Sequence, residues 1–125
     1  MLGFRYPGTG ARHESGVASN IVNVPLARGC DSDTFRSRMS EELLPALRKF
    51  KADLLIISAG FDAHHLDPLG GLNFTDDDYH WITRELMAAA DESAGGRVVS
   101  VLEGGYSLQG LASGTQAHVR ALMSR

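Results

Sequence analysis

The residues best suited to chemistry crowd one short stretch. Directly after the apolar run "LLIISAG" the chain reads "FDAHHLDPLGG", so Asp62, His64, His65 and Asp67 fall between a strand-like segment and a glycine pair. Asp62 can serve as a metal ligand, a general base or a turn residue, because loops at a strand end carry sites and Asp is also a common turn former. Asp67, followed by Pro68, suits a turn better, since proline fixes its own φ and an Asp side chain can bond the backbone two residues on. His64 and His65 suggest zinc, yet adjacent side chains usually diverge, and zinc sites use spacings that let imidazoles converge on one ion. They read as surface residues or as supports standing behind a ligand. His80 and His118 lie in helical patterns without an acid or cysteine at metal spacing, and read as solvent-facing or satisfied by a neighbour. His13, in the opening loop, carries no assignment.

A second stretch, "EGGYSL", sets Gly104 and Gly105 before Tyr106 at the end of another strand-like run. Paired glycines let the backbone approach a ligand closely. A phenol, with a pKa of about 10, can donate a hydrogen bond to a developing oxyanion without ionising. Tyr106 is therefore a candidate for stabilising such an oxyanion, or else a residue that caps the sheet edge. Neither "GLNFT" nor "EGGYS" supplies a phosphate-binding pattern. Cys30, the lone cysteine, reads as a passive thiol and excludes an internal disulfide and every multi-cysteine metal motif.

The elements that must position these residues alternate. Met1 to Gly16 is a glycine-rich loop, and "NIVNVPL", Asn20 to Leu26, has the β-branched content of a short strand stopping at Pro25. "DSDTFRSRMSEELLPALRKF" repeats Phe35, Met39, Leu43, Leu47 and Phe50 at helical spacing behind Asp31 or Ser32 as N-cap, with Pro45 expected to kink it or to mark a local irregularity. "DLLIISAG" is a continuous apolar run, expected of a strand covered on both faces. "FTDDDYHWITRELMAAADES" pairs Thr75 with Asp78 as an acidic capping box over a stripe of Ile82, Leu86 and Ala89. "RVVSVLEGG" is a third strand, and "SLQGLASGTQAHVRALMS" a third helix expected to turn Leu108, Leu111, Val119 and Leu122 inward. Strands alternating with helices imply an α/β fold with a parallel sheet. In such sheets functional groups collect beyond the carboxyl ends of the strands, where both chemical stretches fall.

At 125 residues and 43% hydrophobic content, one domain (1-125) can build a core that buries roughly two-thirds of its unfolded-chain surface. Net charge is −3 with scattered Lys and Arg, which disfavours nucleic acid and anionic lipid as partners. There is no apolar run of the ~20 residues a membrane span needs, and with its single cysteine the chain is expected in the cytoplasm.

In order and interval, "YPGTG", "NIVNVPL", "SAGFDAHHLDPLGGLNFT" and "LEGGYSL" resemble the zinc-dependent histone deacetylase family, above all its bacterial deacetylase and acetylpolyamine-amidohydrolase-like members. The resemblance implies a three-layer α/β/α arrangement of the arginase/deacetylase kind and hydrolysis of an acetyl amide, on acetyl-lysine or an acetylpolyamine, at a zinc ion. It implies that Asp62 is a zinc ligand and that Tyr106 polarises the scissile carbonyl. Tyr6 and Leu69 would line opposite walls of the substrate tunnel, and Gly104 would lie close to the substrate. Family members carry a histidine pair and an Asp-x-His segment upstream of "YPGTG". Those residues do not occur here, and His64-His65 belongs to the loop of Asp62. The chain is thus expected to be the C-terminal portion of such a domain, inactive alone. Apolar surface left open where upstream strands would pack is expected to favour self-association or a partner that supplies the missing half.

Overall fold

A computed structural model describes residues 7–124. Tyr6, placed by resemblance on the tunnel wall, lies outside the described residues. The element order is a short 3-10 turn (Val17–Ser19), α1 (Ser32–Arg38), a π-helical stretch (Met39–Leu43), α2 (Leu44–Phe50), β1 (Leu55–Ala59), α3 (Asp76–Ser93), β2 (Val98–Leu102) and α4 (Leu108–Met123). β1 and β2 pair in parallel, with Leu55 opposite Val98 and Ala59 opposite Leu102. The chain is α/β, as its alternating pattern predicts.

One expected strand is absent. Residues 20–26 form no strand; the Ile21 N–H bonds the Ser15 carbonyl at 3.0 Å, within its own loop. β-branched content alone does not make a strand, which needs a neighbouring ladder. Among the described residues β1 pairs with β2 and no other strand. Val24 and Leu26 still pack against the core, while Ile21 and Val22 are exposed.

The first helical region follows its sequence closely. Asp31 is the N-cap, its carboxylate accepting the Thr34 N–H at 2.9 Å. Pro45 has no N–H to donate and its ring crowds the carbonyl four residues back, and the widened π-helical turn lies directly before it. Lys51, in the left-handed region at φ 54°, ends the helix, and Phe50 lies exposed instead of in the core.

A buried carboxylate ties α1 to α3. Asp78 is fully buried and accepts hydrogen bonds from the Thr75 N–H (2.9 Å), the Ser32 hydroxyl (2.5 Å) and Arg36 Nε (2.8 Å). Burial works against its charged form, but these donors outweigh it and hold the carboxyl below the usual carboxylate range. Arg36 also lies over the Trp81 ring, 5.3 Å from its centroid.

α4 turns inward a face that is only partly the expected one, with Leu111 packed against the core. Leu108 is 87% exposed and Val119 43%, whereas Gly110, Gly114, His118 and Ala121 are buried. The small residues permit close approach: a side chain at Gly114 would press on Phe61 at 3.0 Å and Tyr79 at 3.4 Å. His118 is satisfied by neighbours on two elements. Its Nδ1 lies 2.7 Å from the Thr83 hydroxyl, which itself donates to the Tyr79 carbonyl, and its Nε2 lies 2.8 Å from the Ser100 hydroxyl. With the Thr83 proton committed, Nδ1 carries the hydrogen and Nε2 accepts from Ser100. A single imidazole thereby joins α4, α3 and β2.

The helices cover one face of the sheet only. Leu55, Ile57 and Ala59 are partly or wholly buried, while Ile56 is 62% exposed and its neighbours Val99 and Val101 are 48% and 52% exposed. The expectation that "DLLIISAG" is covered on both faces is not met within this chain. Fully burying an Ile or Val side chain is worth ~1.5–3 kcal/mol, so the open face leaves a few kcal/mol of stabilisation unused.

Burial holds the His118 imidazole below its ordinary value of 6.5. The unfolded chain therefore takes up this proton more readily than the folded one. The contribution to stability is complete above about pH 6.5 and is lost as pH falls below it. Urea denaturation from pH 8 to pH 5 is expected to show that fall, and His118→Gln, which keeps hydrogen-bonding atoms but cannot titrate, is expected to remove His118's share of it. An unaltered pH profile in the variant would count against the assignment.

Candidate functional site

Both strands end at the same level, and their backbones stay joined a little further. The Glu103 N–H bonds the Ala59 carbonyl at 2.9 Å and the Phe61 N–H bonds the Gly104 carbonyl at 2.7 Å. Asp62 follows immediately and is half-buried. Its carboxylate lies against two glycines: a side-chain carbon at Gly60 would come within 2.9 Å of Oδ1, and one at Gly104 within 2.9 Å of Cγ. No hydrogen bond to this carboxylate is formed by any described residue. Gly105, at φ 146°, then turns the chain so that Tyr106 emerges 60% exposed.

Asp67 is more than a turn former. Its Oδ1 accepts the N–H groups of Leu69 (2.8 Å) and Gly70 (3.1 Å), closing the turn expected from Asp-Pro. Its Oδ2 accepts the Tyr106 N–H at 2.7 Å across the sheet edge. Burial alone would push the Asp67 carboxyl up; the backbone donors of Tyr106, Leu69, Gly70 and Ser107 outweigh it and hold it below the usual range. Leu69 is 64% exposed at the rim of this turn.

The two adjacent histidines do not diverge: their rings stack at 4.4 Å. His64 is not a surface residue but 1% exposed, with Nε2 3.0 Å from Asp76 Oδ1 and Nδ1 accepting the Leu66 N–H at 3.2 Å. Its ring is the floor on which α4 begins, since a side chain at Gly110 would meet Nδ1 at 2.9 Å. His65 is exposed, its Nδ1 3.1 Å from the Phe74 carbonyl. His80 is also exposed.

Below the edge lies Tyr79, whose hydroxyl is buried without a hydrogen-bonding partner among the described residues. Burial, with the negative charges of Asp62 and Asp67, pushes its pKa upward, so it remains a neutral phenol. Cys30 is buried, and that burial together with Asp31 pushes its thiol up, away from the reactive thiolate.

Among the described residues no three His, Cys, Asp or Glu side chains gather where they could hold a metal ion. The Asp62 carboxylate at this edge suits a hard or borderline cation, but a zinc site takes three or four protein ligands. This chain alone does not fit a zinc ion. A cavity of about 750 Å³ lies between α2, β1 and α3, lined in part by Leu43, Leu47, Phe50, Leu55 and Leu86, and shares no residue with this edge.

The geometry defines a class of protein: a parallel α/β fold with a polar site at the carboxyl ends of its strands, built from an unpaired carboxylate and an exposed phenol. The model of the histone deacetylase domain matches residues 2–122. The chain belongs to that family. It is 40% identical over 121 residues to histone deacetylase 10, chloroplastic, of Oryza sativa, covering 94% of this chain and 27% of that protein. It is 36% identical over 122 residues to a probable deacetylase of Archaeoglobus fulgidus, covering 95% of this chain and 34% of that one. Among solved structures, the HDA15 HD domain superposes with a TM-score of 0.84 at 36% identity, covering 94% of this chain and 33% of that chain. The histone deacetylase Clr3 does so with 0.84 at 31%, covering 94% and 20%. The chain thus spans about a third or less of these relatives' length.

Sequence reasoning missed the second bond of Asp67 and the burial of His64. The Gly-Gly before Tyr106 signals a close approach but does not say which carboxylate receives the amide beyond it.

The contact between Gly104 and Asp62 predicts a coupled pair. Gly104→Ala is expected to destabilise the chain by about 1–3 kcal/mol through overpacking. In an Asp62→Ala background, where Cγ and both oxygens are gone, most of that cost is expected to vanish. Equal costs in both backgrounds, measured by urea denaturation, would disprove the contact.

Proposed function

We propose that this chain supplies one wall of a zinc-dependent deacetylase site that hydrolyses acetyl amides on acetyl-lysine or an acetylpolyamine. The observation that carries the reading is the Asp62 carboxylate, set between Gly60 and Gly104 at the strand ends and bonded by no described donor, beside the Gly-Gly turn that presents Tyr106. A carboxylate placed so is free to bind a cation, and we assign it as one zinc ligand, with the remaining ligands and the general base coming from residues outside this chain. Lewis-acid activation of the carbonyl and of the attacking water is what the metal contributes to such hydrolysis.

The chain's own part is different. The Tyr106 hydroxyl donates to the amide oxygen and holds the charge that develops there as the carbonyl becomes tetrahedral. Gly104, without a side chain, leaves the room that the Asp62 carboxylate occupies, and by resemblance it lies close to the substrate. Leu69 and, by resemblance, Tyr6 offer apolar contact to the aliphatic arm of the acetylated amine. We place the protein in the cytoplasm, a reducing compartment that suits its lone cysteine.

A second reading is a non-catalytic module that takes a partner on its open sheet face. The exposed Ile56, Val99 and Val101 favour it. Sedimentation at several concentrations tells a stable monomer from a sticky fragment, and hydrolysis by the chain once it is joined to the upstream part of a deacetylase domain decides between the two readings.

The 125-residue chain alone is expected to give no turnover of an acetyl-lysine peptide, with or without zinc. Robust zinc-dependent hydrolysis by the isolated chain would refute the division of the site. Joined to the upstream part of a deacetylase domain, the chain is expected to support hydrolysis, and Tyr106→Phe to lower kcat by ~10²–10³, the usual effect of losing one oxyanion donor. An unchanged kcat would remove Tyr106 from the mechanism.

A further inference from the structure

We propose that Asp67 is the positioning residue for Tyr106, holding the loop that carries Asp62 and the loop that carries Tyr106 in one register through a single carboxylate. The proposal rests on the reading of Tyr106 as the phenol that faces the substrate carbonyl. The pairing of β1 with β2 continues past the strands only to the bond from the Phe61 N–H to the Gly104 carbonyl. Beyond that point the two loops separate, and Gly105, in the left-handed region at φ 146°, gives the second loop a backbone able to swing.

The next link between them is Asp67. Its Oδ1 is occupied by the Leu69 and Gly70 N–H groups of its own loop, at 2.8 and 3.1 Å, which fixes the orientation of the carboxylate. Its Oδ2 then reaches the Tyr106 N–H at 2.7 Å. The anchor is 8% exposed while Tyr106 is 60% exposed. The backbone of Tyr106 is held by a buried charge while its side chain stays open to a substrate. Hydrogen bonds to an ionised acceptor are roughly twice as strong as neutral ones. The His64 ring under Gly110 supports the same loop from α4, but through packing, which places the helix and does not hold the Tyr106 amide.

Asp67→Asn isolates the bond. With Leu69 and Gly70 donating to the remaining oxygen, the amide NH2 of Asn faces the Tyr106 N–H, donor against donor. Backbone hydrogen exchange and amide chemical shifts, followed by NMR on the 125-residue chain, read the outcome. In the unaltered chain the Tyr106 amide is expected to exchange about tenfold or more slowly than a free amide despite the residue's exposure. In Asp67→Asn it is expected to return to the free rate and to shift upfield, while Leu69, Gly70 and the β1–β2 amides keep their protection.

A Tyr106 amide as protected in Asp67→Asn as in the unaltered chain would overturn the proposal. So would an unprotected Tyr106 amide in the unaltered chain, a result that decides the matter even where the variant does not fold. Exchange at Tyr106 requires neither metal nor turnover. Its failure is therefore separate from failure of the deacetylase reading, which is decided by kcat in the Tyr106→Phe variant.

Discussion

Everything at the candidate site depends on how closely two backbones approach at the end of a two-stranded parallel ladder. The bond from the Phe61 N–H to the Gly104 carbonyl brings the chain after β1 against the chain after β2 at 2.7 Å. The Asp62 carboxylate fits there only because Gly60 and Gly104 lack side chains. Overfilling such a contact costs about 1–3 kcal/mol, so the two glycines are a condition for the carboxylate's position. Asp67 then extends the contact to Tyr106, and the two loops behave as one edge.

That edge is carried by a scaffold held together by two buried polar groups of opposite character. Asp78 remains charged because Ser32, Thr75 and Arg36 donate to it, and it fastens the first helical region to the start of α3. His118 remains neutral because its neighbours are hydroxyls and the Phe61 ring, and it fastens α4 to α3 and β2. The difference follows from the partners: a full set of donors offsets the desolvation of an anion, whereas two hydroxyls do not offset that of an imidazolium. Both groups lie behind the site and keep its supporting elements in place.

The open sheet face gives the chain its particular physical character. β1 is apolar on both sides, yet helices cover one side, leaving Ile56, Val99 and Val101 exposed. Strands of that composition belong in a sheet with layers on both faces. The family relatives have about three times this chain's length or more.

Much of this was legible in the amino-acid order because it depends on local periodicity and local backbone chemistry. The alternation of strands and helices, the Asp31 cap, the Thr75–Asp78 pairing and the disturbance before Pro45 all arise within a few residues of chain. So does the arrival of Asp62 and Tyr106 at strand ends. What only the tertiary structure decided are the pairings between distant segments. Residues 20–26 have strand composition but no ladder to join, and α4 buries glycines, alanine and His118 in place of Leu108 and Val119, because close helix packing favours small residues over large ones. His64 becomes a buried floor for α4, and Asp67 reaches an amide 39 residues away. No local pattern encodes such contacts, since hydrogen bonds and steric fits depend on where the folded backbone brings two remote atoms.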